Sequence, residues 1–201
     1  MNRILQRAKR TVSRISGRGE GGQALIEFTL VALLLIVLIF GAIDFCRAIY
    51  MRQLLINLSR ETANLEARGV GSTTAEIMTN ALNAAIQEAS PLTLNSTNGM
   101  VIVTAVTNYT NVVKKQSTAT YTISHQFWLG TLGTFQSAVG TYTGSNKFNQ
   151  AILPNTGILP ANRTVYVAEI YYKFSPITPV GQLIKVILPA QFYDVAYFSA
   201  L

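Results

Sequence analysis

Between Phe28 and Ile43 the chain has no charged residue, and twelve of those sixteen positions are Leu, Ile, Val or Phe. A run that is apolar on every side excludes a water-facing strand or an ordinary surface helix. At roughly −0.3 to −0.6 kcal/mol each on the membrane-insertion scale, these side chains supply about −4 to −7 kcal/mol towards a bilayer. Counted from Ala24, the stretch is twenty residues, close to the ~20 that a spanning helix needs. One carboxylate, Glu27, stands just inside its start. A carboxylate at the bilayer centre costs about 3 kcal/mol, and less near the edge, so insertion wins.

The flanks set the orientation. Arg3, Arg7, Lys9, Arg10, Arg14 and Arg18 precede the run, against the single acid Glu20. Between the run and Ala63 there are only Arg47, Arg52 and Arg60. The excess of Lys and Arg places the N-terminus in the cytoplasm and the C-terminal part outside. Most of the formal net charge of +7 belongs to this arm. Charged residues make up only 12% of the chain, about half the ~25% usual for soluble domains. Basic patches interleaved with aromatics are absent, so no nucleic-acid partner is expected. A cleavable secretory signal does not fit, because the apolar run is too long and no Ala-x-Ala-like site follows it.

The residues around Glu27 form a pattern. Gly22-Gln23-Ala24-Leu25-Ile26-Glu27-Phe28 lies where the basic leader meets the apolar helix. It resembles the processing site of prepilins, in the Glu-aromatic form of the Flp (tight adherence) pilus system. The resemblance implies that a membrane-embedded peptidase cuts between Gly22 and Gln23, leaving Glu27 as the fifth residue of the mature chain. It further implies that Glu27 pairs with the new amine at Gln23, often on a neighbouring subunit, and so sets the register of packed helices. Gln23 is expected to remain an amine and not to cyclise. The segment from Phe40 to Gly69 is similar to the region after the span in TadE-like proteins, with Gly41, Asp44 and Arg47 at the family-like helix positions. A weaker similarity covers Val165 to Val180, where Glu169, Tyr172 and Pro176 match a family-like C-terminal strand.

Beyond the span the pattern stays helical. Met51, Leu54, Leu55, Leu58, Thr62 and Leu65 recur at spacings of three and four, an amphipathic face, and Gly69 reads as its stop. Ala24 to Arg68 as one helix spans roughly 68 Å. A second helix is expected over Thr73 to Ala89, capped by Thr73 or Thr74, with Glu76 in its first turn and Pro91 stopping it. Strand chemistry follows at Met100–Val106, Ser117–Leu129, Thr164–Phe174, Leu183–Leu188 and Gln191–Leu201. Gly130 to Asn162, rich in Gly, Asn and Pro, reads as a long surface excursion. The fold class expected is α+β: a long pilin-type helix, a small helix and an antiparallel sheet. The organisation is a leader over 1–22, a transmembrane segment over 23–43, its amphipathic continuation over 44–69 and an extracytoplasmic domain over 70–201.

No catalytic set emerges. Four of the seven acids after the span, Glu61, Glu66, Glu76 and Glu88, fall on expected helices with the spacing of solvated faces. Glu169 and Asp194 can meet across a sheet, but no base, Gly-rich loop or metal-ligand spacing accompanies them. His125, the sole histidine, reads as a strand-end residue. Cys46, the sole cysteine, allows no intramolecular disulfide; burial is its expected state, with a cross-link to a second subunit as the alternative. No cofactor or metal is expected. The resemblance implies a non-enzymatic minor pilin, or pseudopilin, of the bacterial inner membrane. Its partners would be a prepilin peptidase, other pseudopilins, the major Flp pilin and the assembly platform. The alternative is an uncleaved single-pass protein whose outer domain binds a ligand or partner.

Overall fold

The computed structural model describes residues 2–69, 71–94, 97–113, 116–130, 135–144, 149–154, 163–183 and 187–199, with side chains described from residue 22 onward except over 109–120. The elements are α1 (Asn2–Arg68), α2 (Thr74–Glu88), β1 (Gly99–Val113), β2 (Gln116–Leu129), β3 (Thr164–Lys173), α3 (Pro179–Leu183) and β4 (Gln191–Ser199). The four strands form one antiparallel sheet in the order β2-β1-β3-β4. The fold is α+β, as the residue patterns imply. By contacts the chain divides into two units: Met1–Cys46 with Pro176–Val186, and Arg47–Ser175 with Ile187–Leu201.

In the first unit, α1 exposes its apolar residues. Leu25, Phe28, Leu33, Leu34 and Leu38 are all open. Among the described residues one helix, over Gly22–Arg68, is long and apolar enough to cross a membrane, and 0% of its most apolar window is buried. The core helix of a soluble protein would hide such a window; here lipid is the solvent that suits it. Among the described residues, this one apolar helix near the N-terminus suits a single-pass membrane anchor.

In the second unit, α1 turns amphipathic. Ala48, Met51, Leu55, Leu58, Ser59, Thr62, Ala63 and Glu66 are buried. Gly69 ends the helix with φ 67, and its N–H donates to the Glu66 carbonyl at 3.0 Å. That backbone region is open to glycine at no steric cost. Thr73 caps α2: its hydroxyl accepts from Glu76 N at 3.2 Å, while the Glu76 carboxylate accepts from Ser72 N at 2.9 Å. Met78, Ala81, Leu82 and Ala85 form the buried side of α2, which packs on β1 and β2.

Alternation along the strands divides the sheet into two faces. On one, the register pair Ala168 and Ala196 meets Ala63 of α1. On the other, Val106, Tyr121, Ile123, Val165 and Val167 meet Val139 and Ala151 of the β2–β3 connection. A register shift between Ala105 and Val106 leaves Ser124 without a register partner; its hydroxyl donates to the Ala105 carbonyl at 3.0 Å.

Two expectations are corrected here. The described residues of Leu183–Leu188 form no strand: Leu183 ends α3 and Ile187 and Leu188 lie in a turn and bend, while 184–186 fall outside the described residues. Pro179 opens a helical turn there, and Pro189 has no N–H to offer a ladder. Nor is the β2–β3 connection a mere surface excursion. Its described parts lay Val139 and Ala151 into the core, and Thr122 bridges Gln150. Turn-rich composition marks where a chain bends, not what its apolar residues cover.

Candidate functional site

Gly22, Gln23, Glu27 and Phe28 all lie on α1, and each is exposed. A Cβ at Gly22 would have nothing within 4 Å. The Gln23 side-chain amide donates to Glu27 Oε1 at 3.2 Å, one helical turn apart. Among the described residues this amide is the hydrogen-bond partner of Glu27, and it is a neutral one. The carboxylate is exposed beside the also exposed Leu25, Ile26 and Phe28, at the start of the apolar run. Gly41 is half-buried, with open space where a Cβ would point.

Asp44 closes the apolar run and is fully buried. Its carboxylate accepts the backbone N–H of Ile177 at 3.0 Å, that of Thr178 at 3.3 Å, and the Thr178 hydroxyl. Thr178 in turn caps α3, its hydroxyl oxygen accepting from Gly181 N at 3.0 Å. Pro179 then takes the first helical position, where its missing N–H costs nothing. Gly181 is required: a Cβ there would overlap Asp44 Oδ2 and the buried Pro176. Asp44 and Pro176, far apart in sequence, therefore belong to one clasp.

Arg47 works within the second unit. Its guanidinium donates to the Ser175 carbonyl at 2.8 Å and lies 5.6 Å from the centroid of the Phe174 ring. Phe174 packs edge-on against Phe192.

Glu169 and Tyr172 are both buried on β3 but point to opposite faces of the sheet. Glu169 accepts from the Ser137 hydroxyl, from Ala138 N at 2.8 Å and from the Tyr193 hydroxyl at 2.9 Å. It pins the β2–β3 connection over the sheet. Burial, then the Glu169 charge, pushes the Tyr171 hydroxyl up to about 12 and raises Tyr193 as well. Both phenols stay protonated donors across the physiological range. Asp194 does not meet Glu169. It pairs in register with Ile170 and accepts from Ser59 of α1 on the helix side.

Three further expectations are corrected. Cys46 is exposed, not buried, because it falls on the open side of α1, two residues past Asp44. His125 is interior to β2, paired with Ala105, and its Nδ1 is buried with no hydrogen-bond partner. Glu66 is no solvated helix residue. It is fully buried, neither carboxyl oxygen has a partner, and desolvation raises its pKa well above the ordinary value. The signal was present in the sequence. Met51, Leu55, Leu58, Thr62 and Glu66 continue one stripe at spacings of three and four.

Among the described residues no group of three or more His, Cys, Asp or Glu gathers as a metal site would. Residues 22–64 match a family model described as TadE-like protein. The match begins on Gly22 and takes in Gln23, Glu27, Phe28, Gly41, Asp44 and Arg47, and it ends well before Glu169, Tyr172 and Pro176. No curated protein and no solved structure matches the chain.

Proposed function

We propose, taking the TadE-like segment at residues 22–64 as the premise, that this chain is a minor pilin of a tight adherence pilus apparatus. It is made as an inner-membrane precursor with its N-terminus in the cytoplasm. A prepilin peptidase cuts between Gly22 and Gln23. The mature protein is then held by its helix and helps to initiate, cap or regulate a filament built mainly of a smaller pilin. The outer sheet supplies contacts to other pseudopilins and to the assembly platform. No catalytic step is assigned to it.

The observation that carries this reading is the placing of Gly22 and Glu27. The family match starts on the Gly, and an exposed carboxylate follows at the edge of an apolar, lipid-facing helix. Cutting after Gly22 creates an ammonium group at Gln23, one turn from Glu27. An ion pair in lipid is far less costly than a lone carboxylate. Between subunits the same pair fixes the axial register of one helix on the next.

The test is the N-terminus of the protein in membranes from cells with and without the prepilin peptidase. A chain starting at Gln23 only when the peptidase is present supports the reading. An intact leader in both samples rejects it and leaves a plain anchored protein. Glu27→Ala separates the two a second way: it blocks pilus assembly if the carboxylate sets register and is silent in a plain anchor.

A further inference from the structure

The segment Pro176–Leu183 presents apolar side chains without covering them. Ile177 is 65% exposed and Leu183 is 81% exposed. From Phe174 to Ile184 there is no charged residue. A short mobile loop with such residues would fold them inward; this one is held open. Asp44 grips the Ile177 and Thr178 amides and the Thr178 hydroxyl, Thr178 caps α3, and Gly181 lies against the Asp44 carboxylate.

The grip fixes the depth of the segment. Asp44 directly follows Ile43, the last residue of the apolar run. With the Ile177 N–H 3.0 Å from Asp44 Oδ1, the backbone of this segment stands level with the end of the span. At about 1.5 Å of rise per helical residue, that is the layer where acyl chains meet headgroups. Asp44 itself is compatible with this layer, because three donors replace the water it would lose.

We propose that Pro176–Leu183 is a second membrane contact, laid on the boundary between headgroups and acyl chains beside the end of the helix. Its occupant is lipid, since Asp44, which holds the segment, directly follows the apolar run of the spanning helix, and Ile177 and Leu183 are exposed in the same unit. The binding strength of an interfacial segment rises with the apolar area it buries. The contact fixes the rotation and tilt of the anchor, which one helix alone leaves free.

The proposal rests on the span lying in lipid and not on cleavage at Gly22. The full chain, with Cys46→Ser removing the native thiol, is reconstituted into vesicles of phosphatidylethanolamine and phosphatidylglycerol. A polarity-sensitive fluorophore is placed at Leu183→Cys, and separately at Ile177→Cys and Leu34→Cys. All three positions are exposed, so labelling leaves the core alone. Each label is quenched in turn by nitroxide lipids and by aqueous iodide. The expected result is strong nitroxide quenching and iodide protection at Leu34, with the same sign and smaller size at Ile177 and Leu183. Iodide quenching without nitroxide quenching at Ile177 and Leu183 overturns the proposal, because the segment then faces water. Quenching by neither also overturns it, in favour of a second copy or another protein covering the segment. Leu34 failing to report lipid overturns the span itself.

Discussion

The two ends of the extramembrane part of α1 each bury a carboxyl group, and they do so in opposite ways. Asp44 has three donors within its own unit. Glu66, with no exposed surface either, has no partner on either oxygen. A buried carboxylate with N–H and O–H donors has them in place of water and becomes a fastener. A buried carboxyl without them surrenders its charge to desolvation. Burial alone therefore tells nothing about what an acid does; the donors around it decide.

The largest expected effect is at the fastener. Asp44→Ala leaves the Ile177 and Thr178 amides and the Thr178 hydroxyl in a buried site without an acceptor. Unsatisfied groups of this kind cost about 1–3 kcal/mol each and are not strictly additive, so a local loss of about 3 kcal/mol or more is expected. Amide hydrogen exchange at Ile177 and Thr178 in the full chain reads it directly, as a gain in exchange confined to Ser175–Leu183. Protection unchanged from wild type would break the contrast with Glu66, since both carboxyls would then be equally idle.

Much of this was legible in residues. The charge-free run from Phe28, the stop at Gly69 and the Thr73 cap each follow from local chemistry, and the structure has them. Asp44 and Arg47 were legible as positions but not as contacts. Their partners, Ile177 with Thr178 and Ser175, lie across a sequence separation that no periodicity bridges. Glu66 was misread for another reason. Residue type suggested solvent, while its spacing from Leu55 and Thr62 pointed inward, and packing on the sheet followed the spacing. The β2–β3 connection shows the same limit from the loop side. Its turn residues were plain, but the carboxylate that pins it, Glu169, comes from a strand formed later in the chain.

Glu169 offers the next test, because it is a fastener outside α1. Glu169→Gln keeps the shape but replaces a carboxylate that accepts from Ser137, Ala138 and Tyr193 by a neutral amide with one acceptor oxygen. Hydrogen bonds to a charged group contribute about 1.5–3 kcal/mol, so a loss of about 2 kcal/mol is expected in thermal unfolding of the detergent-solubilised chain. The Tyr171 and Tyr193 hydroxyls should titrate at lower pH in the variant, since the charge that helps to raise them is gone. Ultraviolet absorbance of the phenolates follows that shift.

Glu66 should respond with the opposite sign. Its folded-state pKa is raised, so folding binds a proton that the unfolded chain releases near pH ~4.3. The stability it permits is full below that value and declines as pH rises through the folded-state value. Glu66→Met removes both the titration and the two unpartnered oxygens. The variant should be more stable at pH 8 by about 1–2 kcal/mol, and its stability should fall less between pH 5 and pH 8 than that of wild type. A destabilised Glu66→Met would mean that the carboxyl has a donor after all, and the two ends of the helix would no longer differ.

The smallest effect is expected at Arg47, where charge meets a carbonyl and a ring at a partly open site. Its bond to the Ser175 carbonyl is a single one at 2.8 Å, and the Phe174 ring centroid is 5.6 Å away. A cation over an aromatic face contributes about 0.5–1 kcal/mol at exposed positions. Arg47→Lys retains a charge but not the planar fork that reaches carbonyl and ring together. A loss of about 1 kcal/mol follows, or roughly 2–4 °C in Tm for a chain of this size. Arg47→Met, which keeps an apolar stem against Phe174, separates packing from charge. If Met matches Lys, the stem carries what remains of the contact; if Met is worse, the positive charge contributes as well. In the second case α1 secures the β3–α3 connection with charge of both signs, Asp44 by accepting from backbone N–H groups and Arg47 by donating to a backbone carbonyl, while Glu66 takes part in neither.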